Sequence, residues 1–248
     1  MFLTKFPVNM TRRETRALLA SPYRMHAAIA GSFSPSGEDE NEGRVLWRVD
    51  RMSNGGANLY IVSPKEPSLV GLDEQIGWPD LEHQWQTRDY DVVLNKIANG
   101  QRYRFRLVAN PVVSRRNVTD QHDRSKRMAH VTALQQESWL IGAAAYEALG
   151  VKTPQYLLSE EQSRAERNGF MVERGESDGQ ARLVVSDSRQ WRFRQGKNGN
   201  WIRLATVRYD GVLRVVDEER LRHALTFGIG RGKGFGCGLL TLAPIAPS

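Results

Sequence analysis

Residues 217–243 read Asp-Glu-Glu-Arg-Leu-Arg-His-Ala-Leu-Thr-Phe-Gly-Ile-Gly-Arg-Gly-Lys-Gly-Phe-Gly-Cys-Gly-Leu-Leu-Thr-Leu-Ala. Asp217 to Thr226 predicts a helix, with Leu221 and Leu225 one turn apart. Six glycines then alternate with other residues from Gly228 to Gly238, and an apolar strand follows over Leu239 to Ala243. This order decides the fold. A dinucleotide fingerprint needs a strand before its glycines and a helix after them, and here the order is reversed. Missing side chains let a backbone press against a ligand and present its N–H groups. Consecutive amides of that kind make an anion-binding concavity. Gly228, Gly230, Gly232, Gly234 and Gly236, with the cations Arg231 and Lys233 between them, are therefore a candidate phosphate cradle. A structural loop or bulge without a ligand is the competing account.

Outward from this run the chain repeats one pattern. Phe2 to Val8 alternates as a strand. Thr11 with Glu14 forms a candidate capping box, and Ser21-Pro22 restarts a helix that runs from Tyr23 to about Ala30. Arg44 to Arg51 and Asn58 to Val62 predict a hairpin around Asn54-Gly55-Gly56. A short helix is expected over Asp91 to Ala98 and a strand over Arg102 to Ala109. Pro111 to Ala129 is polar and basic, a candidate linker or arm. Ala133 to Leu149 reads as the longest helix. Strands follow near Phe170 to Arg174, Arg182 to Val185, Gln190 to Arg194, Trp201 to Tyr209 and Val212 to Val216. Each half thus reads strand, helix, strand pair, helix, strand. The expected class is α+β, two tandem ferredoxin-like (RRM-like, βαββαβ) domains over residues 1–112 and 113–248.

With 248 residues, 40% hydrophobic and 25% charged, the composition is that of an ordinary globular protein. No apolar run approaches the ~20 residues of a membrane helix, and Met1 to Pro7 lacks the features of a signal peptide. The single cysteine, Cys237, excludes a disulfide framework and a cysteine-based zinc site. A cytoplasmic protein is expected. Net charge is +7. Six basic residues and no acidic one lie between Arg189 and Arg208, interleaved with Trp191, Phe193 and Trp201. Eight more lie between Arg102 and Arg127, against Asp120 and Asp123. Arginine-rich, aromatic-laced strands suit a polyanion with stackable rings, so nucleic acid is the expected partner.

The five histidines, His26, His83, His122, His130 and His223, show no zinc-hydrolase spacing. Neither a nucleophile-elbow serine nor a two-metal acidic pair is present, so no metal or other cofactor is expected. His26 lies three residues after Tyr23 on one helix, which puts the two on neighbouring ground. Alone, such a histidine is read first as a packed or capping residue. The tyrosine beside it and the basic, glycine-rich stretch support a catalytic reading. RNA brings its own nucleophile, the 2′-OH, and a histidine titrating near neutrality is a natural proton carrier for its attack.

Several segments, taken in order, carry a family resemblance. They are Phe2-Leu-Thr-Lys5, Ser21-Pro-Tyr-Arg-Met-His26, Leu46-Trp-Arg48, Gly100 to Pro111, Lys126-Arg127, Gly211 to Asp217 and the Gly228 to Pro244 tail. Together they resemble the Cas6e (CasE, Cse3) family of CRISPR repeat endoribonucleases of type I-E systems. The resemblance implies two ferredoxin-like domains that bind the stem-loop of a CRISPR repeat RNA. It implies metal-independent cleavage at the 3′ base of the stem, leaving a 2′,3′-cyclic phosphate (or 3′-phosphate) and a 5′-OH. The enzyme is then expected to stay on the crRNA and join the other Cascade subunits. The family's catalytic pair falls on Tyr23 and His26, and its glycine-rich loop on Gly228 to Gly238. Its RNA-contacting basic hairpin falls on Arg189, Arg192, Arg194 and Lys197, and Lys126 and Arg127 are expected on RNA too. Some relatives carry a lysine just beyond the histidine, where this chain has Gly31-Ser32. Arg24, Lys233 or a hairpin arginine is the expected substitute opposite the phosphorane. The competing reading is a non-catalytic RNA-hairpin-binding subunit, with Tyr23 and His26 as packing residues.

Overall fold

Along Phe2–Val8 (β1), Thr4, Phe6 and Val8 are buried and the residues between them are not. That period of two marks a strand with one face on a core. The structure, a computed structural model, describes residues 1–34, 42–81, 84–115, 126–158, 161–175, 179–196 and 199–245. It divides into two compact units, one of Met1–Ile97, Trp191–Arg203 and Arg222–Leu239, the other of Ala98–Gln190, Leu204–Leu221 and Leu240–Ser248.

In the first unit β1 pairs antiparallel with Ala57–Ser63 (β3) and Gln86–Asp89 (β4), and β3 with Leu46–Arg51 (β2). The spatial order is β2-β3-β1-β4. Helices Arg13–Leu19 (α1), Pro22–Ala30 (α2) and Val70–Ile76 (α3) are amphipathic. Their Leu18, Met25, Ile29, Leu72 and Ile76 share a core with Phe6, Val8, Leu59 and Ile61. Each such side chain contributes about 1.5–3 kcal/mol by leaving water. One turn of helix, Asp91–Leu94 (α4), follows β4.

The second unit repeats the plan. Its elements in the chain are Arg102–Ala109 (β5), Val112–Arg115 (β6), Lys126–Ala129 (β7), four short helices and Phe170–Val172 (β8). The helices are Ala133–Ile141 (α5), Ala144–Glu147 (α6), Gln155–Leu158 (α7) and Arg164–Arg167 (α8). Then come Leu183–Arg194 (β9), Trp201–Val215 (β10), Glu218–Phe227 (α9) and Leu240–Pro244 (β11), of which the last residues of β9, the first of β10 and most of α9 belong to the first unit. The sheet order is β11-β5-β10-β8, with β9 paired to β10 and β6 to β7 outside that path. Counting β5, β8, β10 and β11 as first to fourth, both sheets have the same antiparallel order, 4-1-3-2. Each is ferredoxin-like, as the sequence predicts.

The structure departs from the sequence reading at several places, each for a physical reason. Residues 102–109 were expected to close the N-terminal domain, but β5 pairs with β10 and β11. The N-terminal sheet is closed instead by β4, and its second helix is α3. The compact units accordingly differ from a single cut after residue 112, since Trp191–Arg203 and Arg222–Leu239 join the first. Thr11 does not cap α1; its hydroxyl donates to Asn9 Oδ1 at 2.6 Å, and Arg12 stands at the N-cap. The helix expected over Ala133 to Leu149 is interrupted at Gly142, where φ is 67°. The two strand pairs expected between 182 and 216 are two long strands. β10 runs straight through Asp210-Gly211, because Gly211 is a point of close approach rather than a turn. A Cβ there would lie 2.6 Å from the Arg182 carbonyl oxygen and 2.9 Å from the Phe105 ring. The arm read over Pro111 to Ala129 contains the β6–β7 hairpin, and its residues 116–125 lie outside the described residues, as does most of the acidic loop 34–43.

Gly211→Ala therefore forces that crowded point apart and lowers stability by about 1–3 kcal/mol. Thermal unfolding of the variant checks this; an unchanged Tm would contradict the close approach.

Candidate active site

Helix α2 begins where the sequence sets it. Ser21 accepts a hydrogen bond from the Arg24 N–H, and Pro22 occupies the first turn. Met25 and Ile29, one turn apart, are buried and pin the helix to the core. That leaves Tyr23 and His26 half-buried along its flank and Arg24 exposed. The imidazole Nδ1 is buried, so the accessible part of the ring lies away from it.

The glycine run meets this flank. Lys233–Phe235 forms a single 3₁₀ turn, bracketed by Gly232 and Gly236 in the left-handed region at φ 76° and 80°. A Cβ on Gly234 would stand 3.6 Å from His26 Cε1 and 3.7 Å from Nε2. With Nδ1 at 3.8 Å the three ring atoms are nearly equidistant from that point, so the loop passes over the face of the imidazole. Three of the loop's amides are spent internally, Phe235 N–H and Cys237 N–H on the Gly232 carbonyl and Ile229 N–H on that of Gly238. With the Gly228 N–H donating to the Ala224 carbonyl at 2.9 Å, the expected amide cradle is narrower by four donors.

Three successive residues of β2 hold the loop. A Cβ at Gly228 would come within 2.8 Å of Leu46 Cδ2, and one at Gly236 within 2.8 Å of the Trp47 ring. Arg48, 3% exposed, donates from Nη1 to the Leu239 carbonyl at 2.9 Å. Its charge is met by Asp50, which accepts from Nε at 2.7 Å and Nη2 at 2.9 Å. Reading the sequence missed this function of Leu46-Trp47-Arg48; an arginine inside a strand of buried residues was the available signal.

The tip of the β9–β10 hairpin is the third contributor. Phe193 is buried and packs edge-on against Phe235, ring centroids 5.1 Å apart and planes at 68°. The flanking Arg192 and Arg194 are exposed on the other face, 4.5 and 5.0 Å from the Trp201 ring centroid. At the turn, a Cβ on Gly196 would lie 3.7 Å from Tyr23 Oη. Lys197 lies outside the described residues.

Of the cations expected at the site, Arg231 is exposed and Lys233 half-buried. Burial, and secondarily the positive charge of Arg44, holds the Lys233 ammonium below the ordinary lysine value. Arg189 falls in the second unit, 3.9 Å from Asp187. Lys126 and Arg127 lie on β7 in that unit, their side chains outside the described residues. The basic blocks read from the sequence are partly neutralised there. Arg208 pairs with Asp187 and Asp210, Arg106 with Asp210 and Arg102 with Glu173. The hydrogen bond from Arg102 holds the Glu173 carboxyl below its usual range. Cys237 is fully buried, which pushes its thiol up to about 12. Among the described residues no three His, Cys, Asp or Glu are grouped to hold a metal ion, and no helix is long and apolar enough to cross a membrane.

Known proteins show the same arrangement of chain. A family model described as CRISPR associated protein matches residues 1–244. The CRISPR-associated endoribonuclease Cse3 of Thermus thermophilus is 29% identical over 250 residues, covering 98% of this chain and 100% of the relative. A structure of Thermus thermophilus Cse3 bound to an RNA representing a pre-cleavage complex matches with a TM-score of 0.71 at 28% identity, over 98% of each chain. A chain of a CRISPR RNA-guided surveillance complex matches with a TM-score of 0.61 at 25% identity, over 99% of this chain and 100% of that one.

Two outcomes follow from the loop geometry. Gly236→Ala must displace the loop from Trp47 and strains a left-handed backbone, at a cost of about 1–3 kcal/mol that thermal unfolding will register. Cys237 resists alkylation by iodoacetamide at pH 8 in the folded protein and reacts in denaturant; rapid labelling of the native chain would contradict its burial.

Proposed function

The chain belongs to the CRISPR associated protein family, and on that footing we propose that it is an endoribonuclease of the Cse3 kind, acting on the stem-loop of CRISPR repeat RNA. The observation that carries the reading is the placement of Tyr23 and His26 on one flank of α2, with Gly234 over the imidazole face and the tyrosine hydroxyl beside Gly196 of the hairpin. Two proton-handling groups thus face a site flanked by cations, which is what transesterification of RNA needs.

In the proposed reaction the 2′-oxygen at the 3′ base of the stem bonds to the adjacent phosphorus as its proton passes to one member of the pair. The bond from phosphorus to the 5′-oxygen breaks as that oxygen gains a proton from the other. The products are a 2′,3′-cyclic phosphate and a 5′-OH, with no metal ion needed. Lys233, next to Gly234, is the nearest cation along the loop to offset charge on the phosphorane, and half-burial strengthens its effect. Arg24 and Arg231, both exposed, serve the flanking phosphates. Arg192 and Arg194, each with its guanidinium carbon over the Trp201 ring, present their charge to the stem. The product hairpin stays bound as crRNA, in the cytoplasm, with the other Cascade subunits.

His26→Ala lowers single-turnover cleavage of a labelled repeat hairpin by about 10²–10⁴-fold and leaves binding within a few-fold. Cleavage persists in EDTA and stops when the ribose at the cut is 2′-deoxy. Wild-type protein that binds the hairpin without cutting it would establish the non-catalytic subunit instead. Replacing Arg192 or Arg194 weakens binding and lowers its salt slope by about one unit at most for each phosphate no longer neutralised.

A further inference from the structure

We propose that Phe193 is a positioning residue that sets which phosphodiester is cut, by fixing the stem-gripping face of the hairpin at a set distance from the imidazole. The inference rests on the endoribonuclease reading above and concerns a ring pair that reading does not use.

Along β9 the alternation of side chains puts Arg192 and Arg194 on one face and Phe193 on the other. The arginine face is exposed and stacked on Trp201, which is itself 52% exposed. Phe193, at 5% exposure, points the opposite way and meets the Phe235 ring edge-on. Phe235 belongs to the same single turn as Gly234, whose backbone borders the imidazole. Arginine face, Phe193, Phe235, Gly234 and His26 therefore form one continuous line of packed groups.

The far side of the site is closed by the same hairpin, since its turn at Gly196 abuts the Tyr23 hydroxyl. Any shift of the hairpin relative to the 233–235 turn thus moves bound RNA relative to both proton-handling groups. Close packing transmits such shifts rather than absorbing them. The ring pair is also well suited to holding register, because an edge-on aromatic pair has a preferred geometry that an aliphatic pair lacks. Of the turn's other residues, Gly234 has no side chain and Lys233 packs only its aliphatic stem, at Gly238. Phe235 is the one apolar side chain in it.

The test is single-turnover cleavage at saturating protein, with product ends mapped to the nucleotide, for wild type, Phe193→Ala, Phe193→Leu and Phe235→Ala. A misplacement of about 1 Å costs up to about 10²-fold in rate. The expected result is a cleavage rate lowered about 10–100-fold, with new products one nucleotide away from the normal cut. Hairpin affinity is expected to stay within about threefold, well under the tenfold that 1.4 kcal/mol represents. Phe193→Leu, which keeps an apolar side chain and removes the ring edge, binds and folds normally and still yields off-register ends. Phe193→Ala and Phe235→Ala combined are no worse than either alone, the non-additivity of two residues acting as one pair. The inference is overturned if the Phe193 variants bind more weakly but, once saturated, cut the single normal bond at the wild-type rate. A wild type that fails to cut, or a His26→Ala variant that cuts normally, would instead bring down the endoribonuclease reading itself.

Discussion

Everything at the candidate site depends on one backbone running where a side chain cannot go. Segment 228–239 lies against β2 so closely that Leu46 and Trp47 fill the space a Cβ would need at Gly228 and Gly236. Arg48 completes the fastening on the Leu239 carbonyl. A buried guanidinium is costly unless its donors are matched, and here Asp50 takes two of them. With both ends tied to the edge strand, the short turn between is held along His26. The glycines therefore act first as a fitting between loop and sheet, and only the amides left over can serve an anion.

Charge is organised by cross-strand neighbours rather than by sequence blocks. Within residues 189–208 the sequence contains no acid, yet Arg208 has two carboxylates within 2.8 Å, from Asp187 and Asp210 on either side of the block. Arg192 and Arg194 have an indole beneath them instead. The two sets of arginines look alike in a composition window and differ in what they can offer a polyanion. Those paired with carboxylates contribute to the sheet, where partly exposed ion pairs are worth little individually. Those over Trp201 have no ion pair among the described residues and lie against a ring instead.

The legible part of the chain is the part governed by local chemistry. Ser21-Pro22 starts α2 because a cap and a fixed φ act within one turn, so the placement of Tyr23 and His26 could be read directly. The order helix, glycines, strand and the ferredoxin-like repeat were readable for the same reason. What escaped were features decided by distant partners. β4 is an edge strand of Gln86-Thr-Arg-Asp with no apolar alternation, and only its pairing with β1 makes it a strand. Without it, β5 was assigned to the wrong sheet. Asp210-Gly211 carries turn chemistry, yet the neighbouring Phe105 ring and Arg182 carbonyl select glycine for its smallness inside a continuous strand. Thr11 had the right spacing for a cap, but Asn9 offered its carboxamide oxygen closer at hand. At the site, Trp47, Arg48 and Gly196 gave little sign in one dimension, because each matters only for the segment it touches 150 or more residues away in sequence.

The first compact unit is stitched from three stretches of chain, and the last of them ends at Leu239. During synthesis the sheet, α2 and both candidate proton carriers leave the ribosome early. The hairpin tip and the glycine segment follow only after most of the second unit has been made. At about 5–20 residues per second that interval is on the order of ten seconds. A nascent chain therefore carries Tyr23 and His26 in an unfinished setting, with neither wall present, for most of its birth. The candidate centre is therefore incomplete, by its own connectivity, until the chain has been made through Leu239.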